Sequence, residues 1–222
     1  MKKILVVAPH GDDEVLGCGG AILRDASEGA EVHWALVTGV TASNGYAVEV
    51  EGERAAELRK VRRLLGISAL HELNFPPARL EGLPMGKLID ALGAVVRMIA
   101  ADEVYLPFWG DAHSDHRVVF EAGASATKWF RYPSVRRVLC YETPSETDQQ
   151  LNSSKAIFVP NRYVNVAPWL ERKLEALAVY KSEVQEYPGP RSKRAVRALA
   201  EWRGAQSGFD AAEAFMVIRE RE

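Results

Sequence analysis

Cysteine is nearly absent from this chain: only Cys18 and Cys140 occur in 222 residues. No disulfide framework can be built from two such positions, and the core must form without staples, which a chain of this length can do. An excess of either charge is also missing. Twenty-eight basic residues face 30 acidic ones, for a net charge of -2, which argues against a nucleic-acid partner. No apolar run approaches the ~20 residues that span a bilayer, so no transmembrane segment is expected. The N-terminal apolar run is too short for a signal-peptide core and reads better as a strand. The default expectation is a soluble cytoplasmic protein, with substrates at a membrane surface and a homo-oligomeric assembly both left open. There is no internal repeat, no low-complexity tract and no Ser/Gly-rich linker, so residues 1–222 are read as a single domain.

What is present is an alternation of apolar strands and amphipathic helices. Ile4–Ala8, Glu31–Thr38, a short stretch around His71–Leu73, Val104–Pro107 and Val135–Glu142 read as strands. Between them, helices are expected from Asp12 or Asp13 to Gly29, over Glu53–Leu65, Gly86–Ala101 and His113–Phe130, with a polar loop over Gly39–Val50. The series predicts an α/β fold, a Rossmann-like three-layer sandwich with a mostly parallel sheet of order 3-2-1-4-5. The last third is less regular. Ala156–Asn161, Val164–Val166 and Ala214–Arg219 look like strands, and Pro168–Glu183 and Ser192–Ala205 like helices, forming a C-terminal lid or extension.

Histidine is scarce, five residues in all, and three of them lie in two polar segments. His10-Gly11-Asp12-Asp13-Glu14 follows the first strand, and His113-Ser114-Asp115-His116 follows the fourth. In the predicted strand order the winding reverses between those two strands, where ligands of such sheets bind. The topology therefore brings both segments to one crevice. His10, Asp13 and His116 would supply two nitrogens and one oxygen to a divalent ion and leave a position for water. Asp12, beside that water, is placed as general base. His113 shares a helical face with His116 and is free to donate to a developing oxyanion or to act as an acid. Asp115 would orient His113 and raise its pKa by its charge.

Each segment alone has a plainer reading, an N-cap pair for Asp12-Asp13 and a polar surface loop for His113 and His116. Their convergence at the switch point favours the metal site. His33 and His71 read as structural, and Cys18 as a small core residue with a fourth-ligand role as the alternative. Gly17-Cys18-Gly19-Gly20 lacks the spacing of a dinucleotide fingerprint and follows the helix start, so no nucleotide site is expected.

At Ala8-Pro9-His10-Gly11-Asp12-Asp13-Glu14-Val15-Leu16-Gly17-Cys18-Gly19-Gly20, and at His113, Asp115 and His116, the chain resembles the PIG-L/LmbE-like family of zinc-dependent N-deacetylases. Gly11 stands where the family usually has proline. The resemblance implies zinc at His10, Asp13 and His116, Asp12 as base, and His113 with Asp115 as the electrophilic or acid partner. Glu53-Arg54-Ala55-Ala56-Glu57-Leu58 is similar to a family helix whose arginine contacts substrate, which implies that role for Arg54; the plainer reading is an exposed arginine paired with Glu57 or Glu53. Phe158-Val159-Pro160-Asn161, Tyr187-Pro188-Gly189-Pro190-Arg191-Ser192, Arg203-Gly204 and Ala212-Glu213-Ala214-Phe215 resemble the bacterial sugar-deacetylase branch, with Gly189 where a histidine is expected.

The expected function is a zinc-dependent hydrolase that removes the acetyl group from an N-acetylated amino sugar or glycoconjugate, with Fe²⁺ also suited to the ligand set. The alternatives are a non-catalytic sugar- or metabolite-binding protein on the same fold, and a metal-dependent phosphoester hydrolase. The second of these would normally need two metals, and one ligand set is evident.

Overall fold

The strands β1 (Lys3–Ala8), β2 (Glu31–Thr38), β3 (Ala69–Phe75), β4 (Glu103–Pro107) and β5 (Arg137–Tyr141) pair in parallel in the order 3-2-1-4-5. The structure is a computed structural model that describes residues 1–151 and 156–222. Two further strands, β6 (Arg162–Asn165) and β7 (Ala212–Glu220), extend the same sheet beyond β5, with β7 antiparallel to both neighbours. The C-terminal third is thus partly sheet as well as cover. Among the described residues no helix is long and apolar enough to cross a membrane.

β1 is buried on both faces, so it reads as a continuous apolar run rather than an alternating one. Ile4, Val6 and Ala8 enter one core, and Leu5 and Val7 the other. The helices are α1 (Asp13–Ser27), α2 (Val48–Leu65), α3 (Met85–Ile99), α4 (Ser114–Ser125), α5 (Leu170–Leu177) and α6 (Lys193–Ser207). The pair α3 and α4 packs on the Leu5 side, with Leu88, Leu92, Val96 and Val119 inward, while the other four cover the Ile4 side. Each fully buried aliphatic side chain contributes about 1.5–3 kcal/mol. Gly66 ends α2 in the left-handed region, at φ 71°, as a C-terminal glycine does.

Several element boundaries differ from the sequence reading. α2 begins at Val48, so Arg54 lies in its second turn and does not open the helix. α4 stops at Ser125, short of Phe130. Residues 156–161 form no strand, and Phe158 instead packs edge-on against Phe108. The long helix expected over Pro168–Glu183 is a 3₁₀ turn at Ala167–Trp169 followed by the short α5.

The glycine-rich stretch of α1 has a structural use. The helix kinks at Cys18 (φ -146°, ψ 19°). The amide N–H groups of Gly20 and Ala21 then donate to the two carboxylate oxygens of Glu213 at 2.8 and 2.7 Å. Lys173 Nζ donates to the Leu16 carbonyl at 2.9 Å and to Glu213 Oε1 at 2.7 Å. A Cβ on Gly17 would come within 2.2 Å of the Tyr141 ring, and one on Gly20 within 2.7 Å of Val166. These glycines let α1 lie close to β5 and to the chain after β6. Because Lys173 and Glu213 are both buried, Glu213→Ala leaves an uncompensated cation and unpaired amides. It should cost about 3–5 kcal/mol in denaturant unfolding, and a loss under about 1 kcal/mol, the scale of an exposed pair, would show that the kink holds without it.

Candidate metal centre and active-site pocket

The turn after β1 is fixed from both sides. Thr38 on β2 donates its backbone N–H and its hydroxyl to the Pro9 carbonyl, at 3.0 and 2.7 Å. Asp13, in the first turn of α1, folds its carboxylate back so that Oδ2 accepts the His10 N–H at 2.9 Å. The same oxygen lies 3.3 Å from His10 Nδ1 and 3.3 Å from His116 Nε2. His10, Asp13 and His116 thus offer two nitrogens and an oxygen, all within 4.8 Å of one another.

The outer nitrogens of both rings are held by buried carboxylates. His10 Nε2 meets Asp115 Oδ2 at 3.0 Å, and His116 Nδ1 meets Asp111 Oδ2 at 2.8 Å. With those nitrogens donating, the inner ones present lone pairs to the centre, the arrangement that orients histidine ligands of metals. Asp111 is itself fixed by the Thr147 hydroxyl at 2.6 Å. The donor set and its outer partners fit a divalent ion of the zinc type.

Asp115 does not orient His113 through its carboxylate. Its oxygens accept from His10 and from the backbone N–H groups of Ala78 (2.7 Å) and Leu80 (3.2 Å). Its own backbone N–H donates to His113 Nδ1 at 3.0 Å, which makes His113 the N-cap of α4. Nδ1 of His113 is therefore an acceptor, and the ring proton belongs on Nε2. Burial lowers the His113 pKa, helped by the His10 charge, and the Asp115 charge does not reverse it. The expected rise is thus corrected to a fall.

Asp12 is buried but stands apart from the three clustered donors. Burial and the neighbouring Asp13 charge push its carboxyl up to about 7, against the pull of Arg191. Arg191 Nη1 lies 3.1 Å from Asp12 Oδ2 and 3.0 Å from Glu183 Oε2, and Nε donates to Ser145 Oγ at 3.0 Å. The Asp12 N–H donates to Glu14 Oε2 at 3.1 Å, and Glu14 is tied to the Tyr180 hydroxyl at 2.6 Å.

A cavity of about 350 Å³ opens over these groups, with His10, Asp12, Asp13, His113, Arg54 and Arg191 in its wall. Arg54 reaches the pocket, but its guanidinium is engaged by protein. Nη1 donates to the Gly11 carbonyl at 2.9 Å, and Nη2 to Glu183 Oε1 at 2.6 Å and Ser182 Oγ at 3.1 Å. It ties the motif turn to the C-terminal segment. A Cβ at Gly11 would press on the tip of Leu58, at 2.9 Å, and touch Tyr180 at an ordinary 3.8 Å, so a small shift of the Leu58 side chain would admit another residue there. At Gly189 a Cβ would strike Gln185 Cβ at 2.6 Å and the Glu186 carbonyl at 2.8 Å. The side chain that this segment brings to the pocket is Arg191, two residues on.

Asp111 and Arg191 are the site residues that sequence reasoning missed. Asp111 sits five residues before His116, just past β4, a spacing that a search for histidine partners could have used. Arg191 stands inside the 187–192 segment singled out by resemblance, but nothing in that segment points to a contact with Asp12. His33 and His71 are structural, as expected: their rings stack and share a 3.1 Å hydrogen bond. Cys18 is a buried, free core thiol.

The protonation of the cluster gives a pH test. Burial works against the charged form of His10, but the Asp115 and Asp13 carboxylates outweigh it and raise its pKa to about 9; Asp13 likewise raises His116. Below that range an incoming ion must displace a proton. Apparent zinc affinity should therefore rise with pH between about 6 and 8, by about tenfold per unit for each proton released. Calorimetry in buffers of different ionisation enthalpy measures that release, and a pH-independent affinity would contradict it.

The family model described as "PIG-L: GlcNAc-PI de-N-acetylase" matches residues 5–127. The diacetylchitobiose deacetylase of Thermococcus kodakarensis is 25% identical, over 98% of this chain and 84% of that protein. Among solved structures, the conserved protein TT1542 from Thermus thermophilus superposes with a TM-score of 0.80 at 26% identity, covering 100% of this chain and 97% of that one. The N,N'-diacetylchitobiose deacetylase from Pyrococcus horikoshii, complexed with its inhibitor MPG, superposes with a TM-score of 0.79 at 23% identity, covering 98% and 84%.

Proposed function

Since the chain belongs to the PIG-L family of de-N-acetylases, we propose that it hydrolyses the acetamide of an N-acetylated amino sugar or glycoconjugate, with zinc held by His10, Asp13 and His116. The observation that carries this reading is the single Asp13 oxygen lying 3.3 Å from a nitrogen of each histidine, with both rings anchored from behind. Fe²⁺ suits the same donors.

Bound in this cluster, the ion would polarise the acetyl carbonyl and lower the pKa of the attacking water. Asp12 takes the proton of that water. Its burial and its isolation from the ligand set suit it to hold a proton and return it. Arg191 keeps the Asp12 carboxylate on one side of the pocket. His113, with its ring proton on Nε2, donates to the oxyanion that forms on the acetyl oxygen. Asp111 and Asp115 keep the two histidine ligands in their ligating tautomers, and Arg54 holds the Gly11 turn against Glu183. The leaving amine receives its proton from Asp12 or His113, and acetate and a free amine are released. A two-metal phosphoesterase is disfavoured by the second donor group among the described residues, His10, His113 and Asp115. It shares His10 with the first, and the Asp115 oxygens are already engaged by backbone.

Asp12→Asn should retain zinc and the fold but lower kcat for amide hydrolysis by about 10²-fold or more, the scale of a lost general base. His10→Ala should lose zinc as well as turnover. Metal content by mass spectrometry beside acetate release separates the two, and near wild-type turnover in Asp12→Asn would remove the proposed base.

A further inference from the structure

The charges around the pocket are unevenly matched. Its wall holds six carboxylates, Asp12, Asp13, Glu51, Glu72, Glu146 and Glu183, against two guanidiniums, Arg54 and Arg191. A divalent ion in the cluster would still leave negative charge in excess on the wall. Both arginines are already neutralised, Arg54 by Glu183 and Glu57, and Arg191 by Asp12 and Glu183. Among the described residues, no cation lies within ion-pair distance of Glu51 or Glu72. Glu51, on α2, and Glu72, on β3, are thus the wall carboxylates with no cation beside them.

That end is a built wall. Asn44 Nδ2 donates to the carbonyls of Gly39, Asn74 and Phe75, at 2.8, 3.3 and 3.3 Å. This pins the loop after β2 to the end of β3. Glu51 Oε2 accepts the Ala42 N–H at 2.8 Å and fixes the turn in that loop. Tyr46, an exposed residue, adds an aromatic face to the same cavity. Position along the sheet sets the separation. Glu72 is in register with Leu36, and Leu36 with Ala8, two residues before His10. Two strand spacings put β3 about 10 Å from β1. The Glu72 backbone therefore stands about one further sugar ring from the strand that leads into His10, and Glu51 lines the same cavity from the first turn of α2.

The geometry points to a substrate that carries a free ammonium group on the sugar unit next to the acetylated one, read by Glu51 and Glu72 with Tyr46 beside them. This inference rests on the deacetylase reading and narrows its substrate to partly deacetylated or otherwise amino-bearing saccharides. A cleft lined by one sign of charge concentrates ligands of the other, and an ammonium ion is also attracted to an aromatic face. Fully acetylated saccharides would bind less well, and phosphate- or carboxylate-bearing ones would be repelled. A reaction that exposes an amine on the neighbouring unit must then precede this one.

Acetate release by the zinc-loaded protein from the two mono-N-acetylated chitobioses, from N,N'-diacetylchitobiose and from N-acetylglucosamine 1-phosphate tests this. One mono-acetylated isomer should exceed the diacetyl compound in kcat/KM by about five- to tenfold at low salt, mainly through KM. At about 1 M salt, where the Debye length is about 3 Å, the preference should collapse. In the double variant Glu51→Gln/Glu72→Gln it should fall to within about twofold, the residue of an exposed charge contact once the charge is gone; the new side-chain amide oxygen at position 51 still accepts the Ala42 N–H and keeps the loop turn. Equal kcat/KM for charged and neutral compounds in the wild type, a preference that survives the double substitution, or a preference for the phosphate would overturn the inference while leaving the deacetylase intact. If no compound releases acetate, the deacetylase reading fails, and calorimetry still decides the charge question. Fully deacetylated chitobiose must then bind more tightly than cellobiose, and lose that advantage in the double variant, or the inference fails too.

Discussion

Two imidazoles and one carboxylate oxygen meet where the first and fourth strands end, and most of the structure around the pocket serves that meeting. Asp13 Oδ2 touches His10 by its backbone and its ring, and His116 by its ring. Taking these groups out of water is costly unless each is paired. The pairing runs outward: Asp115 behind His10, Asp111 behind His116, Ala78 and Leu80 amides behind Asp115, Thr147 behind Asp111. The burial that makes the pairing necessary also gives the cluster its chemistry. The imidazoles hold the Asp13 carboxyl far below its usual range, while burial and Asp13 push that of Asp12 up.

The C-terminal third completes the site from a distance in sequence. Its strands extend the sheet past β5, and Glu213 on β7 with Lys173 on α5 hold the kink of α1. The segment after α5 delivers Glu183 and Arg191 to the pocket, where they meet Arg54 and Asp12. One side of the cavity is thus set by the strand ends, and the other by a segment whose Arg191 lies 179 residues from Asp12 in the chain. Substrate selection then depends on which carboxylates those contacts leave without a cation.

Much of this was legible because it rests on local patterns and a topological rule. The buried runs Ile4–Ala8 and Val104–Pro107 marked the neighbouring strands, and the switch point between them placed His10, Asp13, His113 and His116 together. The partners were harder to read. Asp115 is two residues from His113, and sequence proximity assigns it there, yet its carboxylate reaches His10 after β1 and only its backbone N–H meets His113. For Arg54 the local partner Glu57 is legible, and it lies 3.6 Å away, but the other acceptors, the Gly11 carbonyl and Glu183, are 43 and 129 residues away. Arg191 lies in a segment marked by its resemblance, but its role is not legible there, because its contacts to Asp12 and Ser145 span long stretches of chain. Gly45, Tyr46 and Gly52 give residues 45–52 a loop-like composition, yet α2 already begins at Val48.

Everything proposed for the pocket depends on His10, Asp13 and His116 forming one metal centre. A crystal of the zinc-loaded protein, measured on both sides of the zinc absorption edge, tests this most directly. The predicted result is a single anomalous peak within about 2.0–2.3 Å of His10 Nδ1, Asp13 Oδ2 and His116 Nε2, with Asp12 beside the ion and outside the ligand set. No peak at this position, or a peak bound by His113 and Asp115 in place of Asp13 and His116, would contradict it.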